Sequence, residues 1–346
     1  MATLQELLSR LVEHDDLTAE ETEAVMEQVL TDAASPVAMG AFLAALRVKR
    51  ETPEEVSGLA AAMLRHAIRI EVPGRTVDIV GTGGDGQNTV NVSTMAALVI
   101  AGTGLTVVKH GNRGATSMTG AADVLGELGV RLDVPPERVA ELATEVGITF
   151  CFAQVFHPAM RYTMPIRREI GIPTTLNILG PLTNPAQPAA SAIGSSSLRV
   201  SPVLAGVLAA QGREGLVFHG DDGLDELAPT GSATLWEVRG GGSTELRLDP
   251  VADLGLSRIV IDDIRGGDAT VNAAVVREVL AGRGGAARET VLLNAAAGVV
   301  ADGTLEGTAS GTLVERFEAG LELASAAVDS GAAADVLDRW VAATAR

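Results

Sequence analysis

Apolar side chains recur at helical spacing through residues 1–72, as at Val25, Met26, Val29 and Leu30. Polar caps mark where the helices begin. Thr18 with Glu21 forms a capping-box pattern, and Ser35 precedes a first-turn proline. The stretch from Thr52 to Glu55 combines both devices. The pattern predicts a small all-helical domain over residues 1–72.

After Pro73-Gly74, short β-branched runs alternate with helical stretches, which is typical of an α/β domain. Strands are predicted at Thr76–Val80, Leu105–Val108, Thr149–Phe152, Gly215–His219, Arg258–Ile261 and Val291–Leu293. A helix is predicted to begin around Ser93, and the glycine-rich stretches 240–242 and 282–285 are predicted to be surface turns.

Length and composition narrow the class of protein. The length of 346 residues predicts two domains, because a single hydrophobic core rarely grows past ~250–300 residues. A net charge of −18 argues against nucleic-acid binding. An anionic substrate would therefore need a locally basic site or a bound divalent cation.

Cys151 is the single cysteine, so no disulfide or cysteine metal cluster can form within one chain. A reducing compartment, the cytoplasm, is expected. The N-terminal residues carry acids within an amphipathic pattern, and the longest apolar run, from Met95, is broken by Gly102 and Gly104. Neither a signal peptide nor a membrane span is expected.

Two loops that follow predicted strands carry the candidate chemistry. The turn Gly81–Asp85 lets the backbone approach a ligand closely, although such a turn is as often a simple tight connection. Hydroxyls in Asn91–Thr94 open a helix and serve equally well as caps or as phosphate ligands. Because ligands collect at the carboxyl ends of parallel strands, the glycine-rich turn and the loop that begins at Lys109, after the predicted strand Leu105–Val108, are expected to face one site.

The segment Lys109–Arg113, followed by Thr116, Ser117 and Thr119, shifts the balance toward a ligand site. Two cations, an imidazole, an amide and three hydroxyls at a strand end are poor core material. This segment favours binding of a phosphate or a carboxylate.

The motifs GTGGD, NVST, KHGNR, TGAADVLGELG, FHPAMR, RREIG, LNILGPLTNPA and DDGLDE stand in one order along residues 10–340. In this order and spacing the chain resembles the anthranilate phosphoribosyltransferases of tryptophan biosynthesis. The resemblance implies a small helical domain and a large α/β domain with a mostly parallel central sheet, the fold of the pyrimidine nucleoside phosphorylases. It implies helical residues 1–72 joined by 168–187, an α/β domain of 73–167 and 188–346, and a homodimer formed through the helical parts.

The resemblance also assigns residues. Contacts to phosphoribosyl pyrophosphate fall on Gly81, Gly84, Asp85, Thr89, Asn91, Ser93, Thr94, Lys109, His110, Gly111, Asn112, Arg113, Ser117 and Ala121. Contacts to anthranilate fall on Gly81, Asn112, His157, Arg167, Gly180 and Pro181. Mg²⁺, two ions per subunit, falls on Ser93, Asp225 and Glu226, and the catalytic set is Lys109, Asp225 and Glu226. His14, His66 and His219 match no functional motif and are expected to be structural.

The implied reaction displaces diphosphate from the anomeric carbon by the neutral aryl amine, with no strong base and no covalent intermediate. Without the other motifs, the residues 221–226 would be interpreted as a solvated acidic turn. Alternatives are a nucleoside phosphorylase, a non-catalytic or nucleic-acid-binding relative, and a paralogue that uses a substituted anthranilate. Thr116 and Thr119 depart from the common family pattern but keep their hydroxyls, so phosphate binding is expected to survive. The departures at Phe156, Pro173 and Leu176 bear on the acceptor tunnel.

Overall fold

The computed structural model describes residues 2–114 and 118–345. Its first part consists of helices α1 (Leu4–Val12), α2 (Ala19–Leu30), α3 (Pro36–Lys49) and α4 (Pro53–Arg65). Thr18 and Thr52 form the expected capping boxes with Glu21 and Glu55, whereas Ser35 occupies the cap position without a side-chain hydrogen bond. The predicted helical lobe is therefore present.

A seven-stranded sheet lies at the centre of the rest of the described chain. Its strands are β1 (Thr76–Gly81), β2 (Thr106–Gly111), β3 (Ile148–Phe152), β4 (Ala190–Gly194), β5 (Glu214–Gly220), β6 (Ala233–Arg239) and β7 (Gly242–Leu248). The spatial order of the strands is β3-β2-β1-β4-β5-β6-β7. The first five strands in this order are parallel to one another, whereas β6 pairs antiparallel with β5 and β7 pairs antiparallel with β6. The α/β fold class is confirmed.

The remaining helices cover this sheet. They are α5 (Val92–Gly102), α6 (Ala121–Glu127), α7 (Pro136–Val146), α8 (Ala153–Phe156), α9 (Met164–Ile170), α10 (Ser201–Ala210), α11 (Ala269–Leu280), α12 (Ala286–Asp302), α13 (Leu313–Asp329) and α14 (Ala332–Thr344). Short 3₁₀ turns span Pro158–Thr163, Thr175–Asn177, Gly180–Leu182 and Ile261–Ile264. Helices α5 and α12 are buried over most of their length because they pack against each other, the sheet and α13, and α14 also covers α5.

Two predicted strands were wrong. Residues 258–261 form no strand, because the carboxylate of Asp263 accepts a hydrogen bond from the Val260 N–H and turns the chain into the 3₁₀ turn. Residues 291–293 lie inside the buried helix α12. A short apolar run has the same pattern in a buried helix and in a buried strand, so periodicity alone could not separate them.

Three strands escaped prediction, namely β4, β6 and β7. Strand β4 is rich in small residues, which lack the β-branched signal. Strands β6 and β7 form a hairpin whose two turn residues, Gly240 and Gly241, have φ of 58° and 79°. Such positive values suit a tight two-residue hairpin turn, so the predicted surface turn at 240–242 joins two strands.

The helical lobe shares its core with later parts of the chain. Leu176, Leu179 and Leu182 are buried in the same apolar cluster as Phe42 and Leu59. The same cluster also includes Val217 and Trp236 of the sheet, so the assignment of residues 168–187 to the helical domain stays a prediction. Among the helices of the described residues, none has the length and apolar character needed to cross a membrane.

Candidate active site

The acidic segment after β5 sits on the carboxyl ends of two neighbouring strands. Gly81 of β1 and Gly194 of β4 are paired, and a Cβ atom added to either would overlap Asp225. The Asp225 carboxylate also accepts a hydrogen bond from the Gly83 N–H at 2.6 Å. Glycine at both strand ends is therefore what lets the carboxylate reach the glycine-rich turn. Sequence reasoning missed Gly194 because its strand was not predicted.

Three carboxylates meet at this point. Asp85, Asp225 and Glu226 each offer an oxygen within 4.8 Å of the others. Burial and the charge of Asp85 raise the pKa of Asp225 to about 7, and burial together with Asp225 holds the pKa of Glu226 well above its usual value. The site thus concentrates more negative charge than the described residues around it balance.

The donor set fits a divalent cation. Asp85 Oδ2 and Glu226 Oε1 are buried and have no hydrogen-bond partner among the described residues. Carboxylate oxygens without partners are the hard ligands that Mg²⁺ prefers. The sequence had placed Asp85 with the diphosphate, and the structure groups it with the two predicted metal ligands. The third predicted ligand, Ser93, accepts a hydrogen bond from Lys109 at 3.2 Å.

Lys109 and His110 are adjacent on β2 and point to opposite faces of the sheet. The Lys109 ammonium donates to the carbonyl of Ile79 at 2.6 Å and to Ser93. Burial lowers the pKa of Lys109 to about 8, against the opposing effect of Asp78 and Asp225. Lys109 therefore serves the side of the site where α5 begins.

The helix α5 begins beside this lysine. Thr94, in its first turn, has a buried hydroxyl without a partner among the described residues. The Asn91 amide donates to the carbonyl of Thr119 at 3.1 Å, and its oxygen accepts from Asn272 at 2.8 Å. Thr89 hydrogen-bonds to Glu226. The helix start can take an anion, and Asn272, which sequence reasoning missed, orients Asn91.

The loop after β2 folds tightly over the start of α6, where Ala121 is the first residue. The Asp123 carboxylate accepts from the N–H groups of Gly114 and Gly120, both at 3.0 Å, and pairs with Arg113 at 2.9 Å. A Cβ at Gly120 would overlap this loop. The predicted contact Ser117 lies outside the described residues, as does Thr116.

Two buried imidazoles lie on the other face of β2. The rings of His110 and His157 are 5.1 Å apart, His110 Nδ1 lies 2.9 Å from the carbonyl of Gly180, and His157 Nε2 lies 3.0 Å from that of Thr183. A carbonyl only accepts, so these ring nitrogens carry the proton. The structure therefore places the His110 side chain, predicted as a donor-site contact, beside the predicted acceptor residues His157, Gly180 and Pro181.

The side chains of two further residues predicted to contact anthranilate, Arg167 and Asn112, make few hydrogen bonds to the rest of the chain. Arg167 lies half-buried on α9, its guanidinium makes no hydrogen bond or ion pair within the described residues, and burial lowers its pKa. Asn112 follows β2, and its side-chain oxygen accepts from the Arg113 N–H at 2.8 Å. A half-buried guanidinium without a carboxylate is a candidate binding group for an anionic ligand.

Comparison with known proteins gives the relatives of this fold and site. The profile of the glycosyl transferase family, a/b domain, matches residues 73–334, and that of its helical bundle domain matches residues 5–67. An anthranilate phosphoribosyltransferase of Arthrobacter sp. is 56% identical over 342 residues, covering 99% of this chain and 96% of that protein. The chain belongs to the anthranilate phosphoribosyltransferase family.

Solved structures agree with membership of this family. The anthranilate phosphoribosyltransferase from Thermus thermophilus superposes with a TM-score of 0.90 at 40% identity, over 98% of this chain and 99% of that one. The enzyme from Saccharomyces cerevisiae in complex with PRPP (phosphoribosyl pyrophosphate) and Mg has a TM-score of 0.87 at 29% identity, over 99% and 98% of the two chains. The predicted family, fold and enzyme class, a pentosyltransferase, are confirmed.

The buried histidines should make this transferase less stable in acid. Burial lowers the pKa of His157 to about 3 and that of His110 to about 4. In the unfolded chain each of these histidines has the ordinary pKa of 6.5 and binds a proton below that pH. The unfolding free energy should therefore fall by about 2 kcal/mol per histidine between pH 7 and pH 5. Urea denaturation at both pH values should show a loss about 2 kcal/mol smaller in His157→Gln. Equal losses would contradict a buried neutral His157.

Proposed function

We propose that this chain transfers the ribose 5-phosphate group of phosphoribosyl pyrophosphate to the amine of anthranilate, with release of diphosphate. One observation carries the proposal. The cluster of Asp85, Asp225 and Glu226 adjoins Lys109 and the start of α5 on one face of the sheet edge, and neutral histidines occupy the other face. The site can thus hold an anion with its cation, next to a second, separate ligand.

The donor would bind where the carboxylates and the cations meet. Two Mg²⁺ ions per subunit would be held by Asp85, Asp225 and Glu226, with Ser93 beside them, and bound Mg²⁺ would neutralise charge on the departing diphosphate. Lys109, held in place by Ile79, would contribute a fixed positive charge. The Thr94 hydroxyl, without a partner in the described part of the chain, and the α5 N-terminus would bind phosphoryl oxygens.

The acceptor would bind on the side of the imidazoles. The Arg167 guanidinium would pair with the carboxylate of anthranilate. His110 donates a hydrogen bond from Nδ1 to the carbonyl of Gly180, so its Nε2 carries no proton. This Nε2 is buried, has no partner among the described residues, and can accept a hydrogen bond from the amine of the acceptor. Because an aryl amine is already neutral at pH 7, rate enhancement would come from positioning both substrates and stabilising the leaving group.

The rival function is a nucleoside phosphorylase of the same fold. Its nucleophile is inorganic phosphate, and it has no need for a divalent cation beside a diphosphate. The partnerless carboxylate oxygens of Asp85 and Glu226 favour the transferase. Whether the natural acceptor is anthranilate or a substituted anthranilate is tested by comparing the rates at which the two are consumed.

The direct test supplies phosphoribosyl pyrophosphate with a panel of aryl amines and follows the loss of anthranilate fluorescence. Anthranilate should be consumed fastest. Excess chelator should abolish turnover and added Mg²⁺ should restore it, because the diphosphate leaves with uncompensated charge otherwise. Full turnover in chelator would overturn the metal assignment, and faster use of a substituted anthranilate would redefine the acceptor.

Substitution should separate the two substrates. Arg167→Ala removes a charge-assisted contact of ~1.5–3 kcal/mol, so the Michaelis constant for anthranilate should rise roughly ten- to a hundredfold. The constant for phosphoribosyl pyrophosphate should change little. Arg168→Ala, which removes an exposed guanidinium from the same helix, is the matched control. Equal changes in both constants, or no change, would make Arg167 a structural residue.

The carboxylates should show the reverse pattern. Asp225→Asn with Glu226→Gln should lower the maximal rate and weaken Mg²⁺-dependent use of the donor, while the constant for anthranilate is retained. Calorimetric titration with Mg²⁺ and phosphoribosyl pyrophosphate reports the loss of binding without relying on turnover. Unchanged Mg²⁺ binding by this variant would place the metal elsewhere.

A homodimer is expected through the helical lobe. Val12, Val37 and Val48 on α1 and α3 are 63%, 83% and 73% exposed, and a second copy would cover them. Light scattering at micromolar concentration should give twice the mass of one chain. A monomer mass would contradict the proposal.

A further inference from the structure

The segment 180–188 supplies the carbonyl groups that hold both buried imidazoles. It carries Gly180, which accepts from His110, and Thr183, which accepts from His157. The segment is a 3₁₀ turn followed by irregular backbone, so its position is not fixed by a helix or a strand. Something else must fix it against the sheet.

Asp78 provides one half of this attachment. It lies on β1 and is fully buried. One of its oxygens accepts from the backbone N–H of His110 at 3.2 Å, and the other accepts from the Asn184 side chain at 2.9 Å. Lys109 and Arg213 lie close enough to oppose the cost of burying this carboxylate. Asp78 thus binds the end of β2 and the 180–188 segment at the same time.

Asn184 provides the other half of the attachment, and its side chain makes three hydrogen bonds. Its amide donates to Asp78 and, at 2.7 Å, to the carbonyl of Val108, while its oxygen accepts from the Ala186 N–H at 3.0 Å. Two donors and one acceptor in this arrangement match an asparagine and no other side chain of similar size. Asn184 therefore clamps the segment to two neighbouring strands.

Other side chains also hydrogen-bond to the segment. Gln211 donates to the carbonyl of Leu182 at 3.2 Å, and the buried Arg213 donates to that of Pro188 at 3.0 Å. Neither contact reaches the strand that carries His110. Apart from the His110 ring, which donates to Gly180, Asp78 and Asn184 supply the side-chain hydrogen bonds that join the segment to that strand in the described residues.

We infer that Asp78 and Asn184 form a positioning pair that sets the acceptor side of the site relative to β2. The inference rests on the proposed function for its kinetic consequences. Without the pair, the carbonyls of Gly180 and Thr183 would no longer face the imidazole N–H groups. The donor side would keep its own attachments, because Lys109 is held by Ile79 and Ser93 and the carboxylates by the strand-end glycines.

The first experiment is kinetic. Asn184→Ala should raise the Michaelis constant for anthranilate about tenfold or more and that for phosphoribosyl pyrophosphate less than about threefold. Asp78→Asn and Asn184→Asp should each lower kcat/KM for anthranilate. An amide at 78 has one oxygen for the two N–H groups from which Asp78 accepts, and a carboxylate at 184 faces Asp78 and the Val108 carbonyl without a donor. The double variant restores one donor and one acceptor between positions 78 and 184, although not the hydrogen bond to the Val108 carbonyl, and should exceed the weaker single variant. A double variant no better than that single variant would overturn the pairing.

The matched control is Thr22→Val, which removes a buried hydrogen bond to the carbonyl of Glu55 inside the helical lobe. Its unfolding free energy should fall as well, with both Michaelis constants unchanged. If Asn184→Ala changed the two constants as little as this control does, the pair would be structural only.

A second readout does not depend on turnover. With ¹⁵N-labelled histidine, the protons on His110 Nδ1 and His157 Nε2 should exchange slowly with solvent in the native chain and in Thr22→Val. Asn184→Ala should lose both slow signals. Persistence of both signals in Asn184→Ala would overturn the inference even if the chain proved inactive on anthranilate, whereas inactivity of the native chain would overturn only the proposed function.

Discussion

The end of the sheet is organised by a close approach that only glycine permits. Gly81 and Gly194 leave the ends of two paired strands without side chains, and Asp225 occupies the space where their Cβ atoms would lie. Through this contact, Asp225 reaches Gly83, which is 142 residues away in sequence. The loops after β1, β4 and β5 meet there because of this one steric constraint.

The same contact creates an electrostatic imbalance. It brings Asp225 and Glu226 up to Asp85, and burial raises the pKa of all three carboxyl groups. Burying like charges together is unfavourable unless positive charge arrives with the ligand. Because ionisation of these three carboxyl groups is unfavourable without a positive charge, the same region is suited to a cation that accompanies a diphosphate.

Strand geometry separates the two halves of the site. Successive side chains on β2 point to opposite faces, so Lys109 joins the carboxylate side while His110 joins His157. Beneath them, Asp78 contacts the His110 backbone and Asn184. A single strand end thus contributes to both groups of side chains, and the buried pair Asp78 and Asn184 links this strand end to the segment that contacts the imidazoles.

The sequence by itself determined the helical lobe, because capping boxes and helical spacing are local signals, and it indicated Lys109, Asp225 and Glu226 through their motifs. It could not determine the place of residues 291–293, since a buried helix and a buried strand share one apolar pattern. It missed β4, and with it Gly194, because small residues carry little strand signal. Only the tertiary structure grouped Asp85 with the carboxylates, placed the His110 ring beside His157 and paired Asp78 with Asn184. These relations depend on strand order and on buried hydrogen bonds between distant segments, which local patterns do not encode.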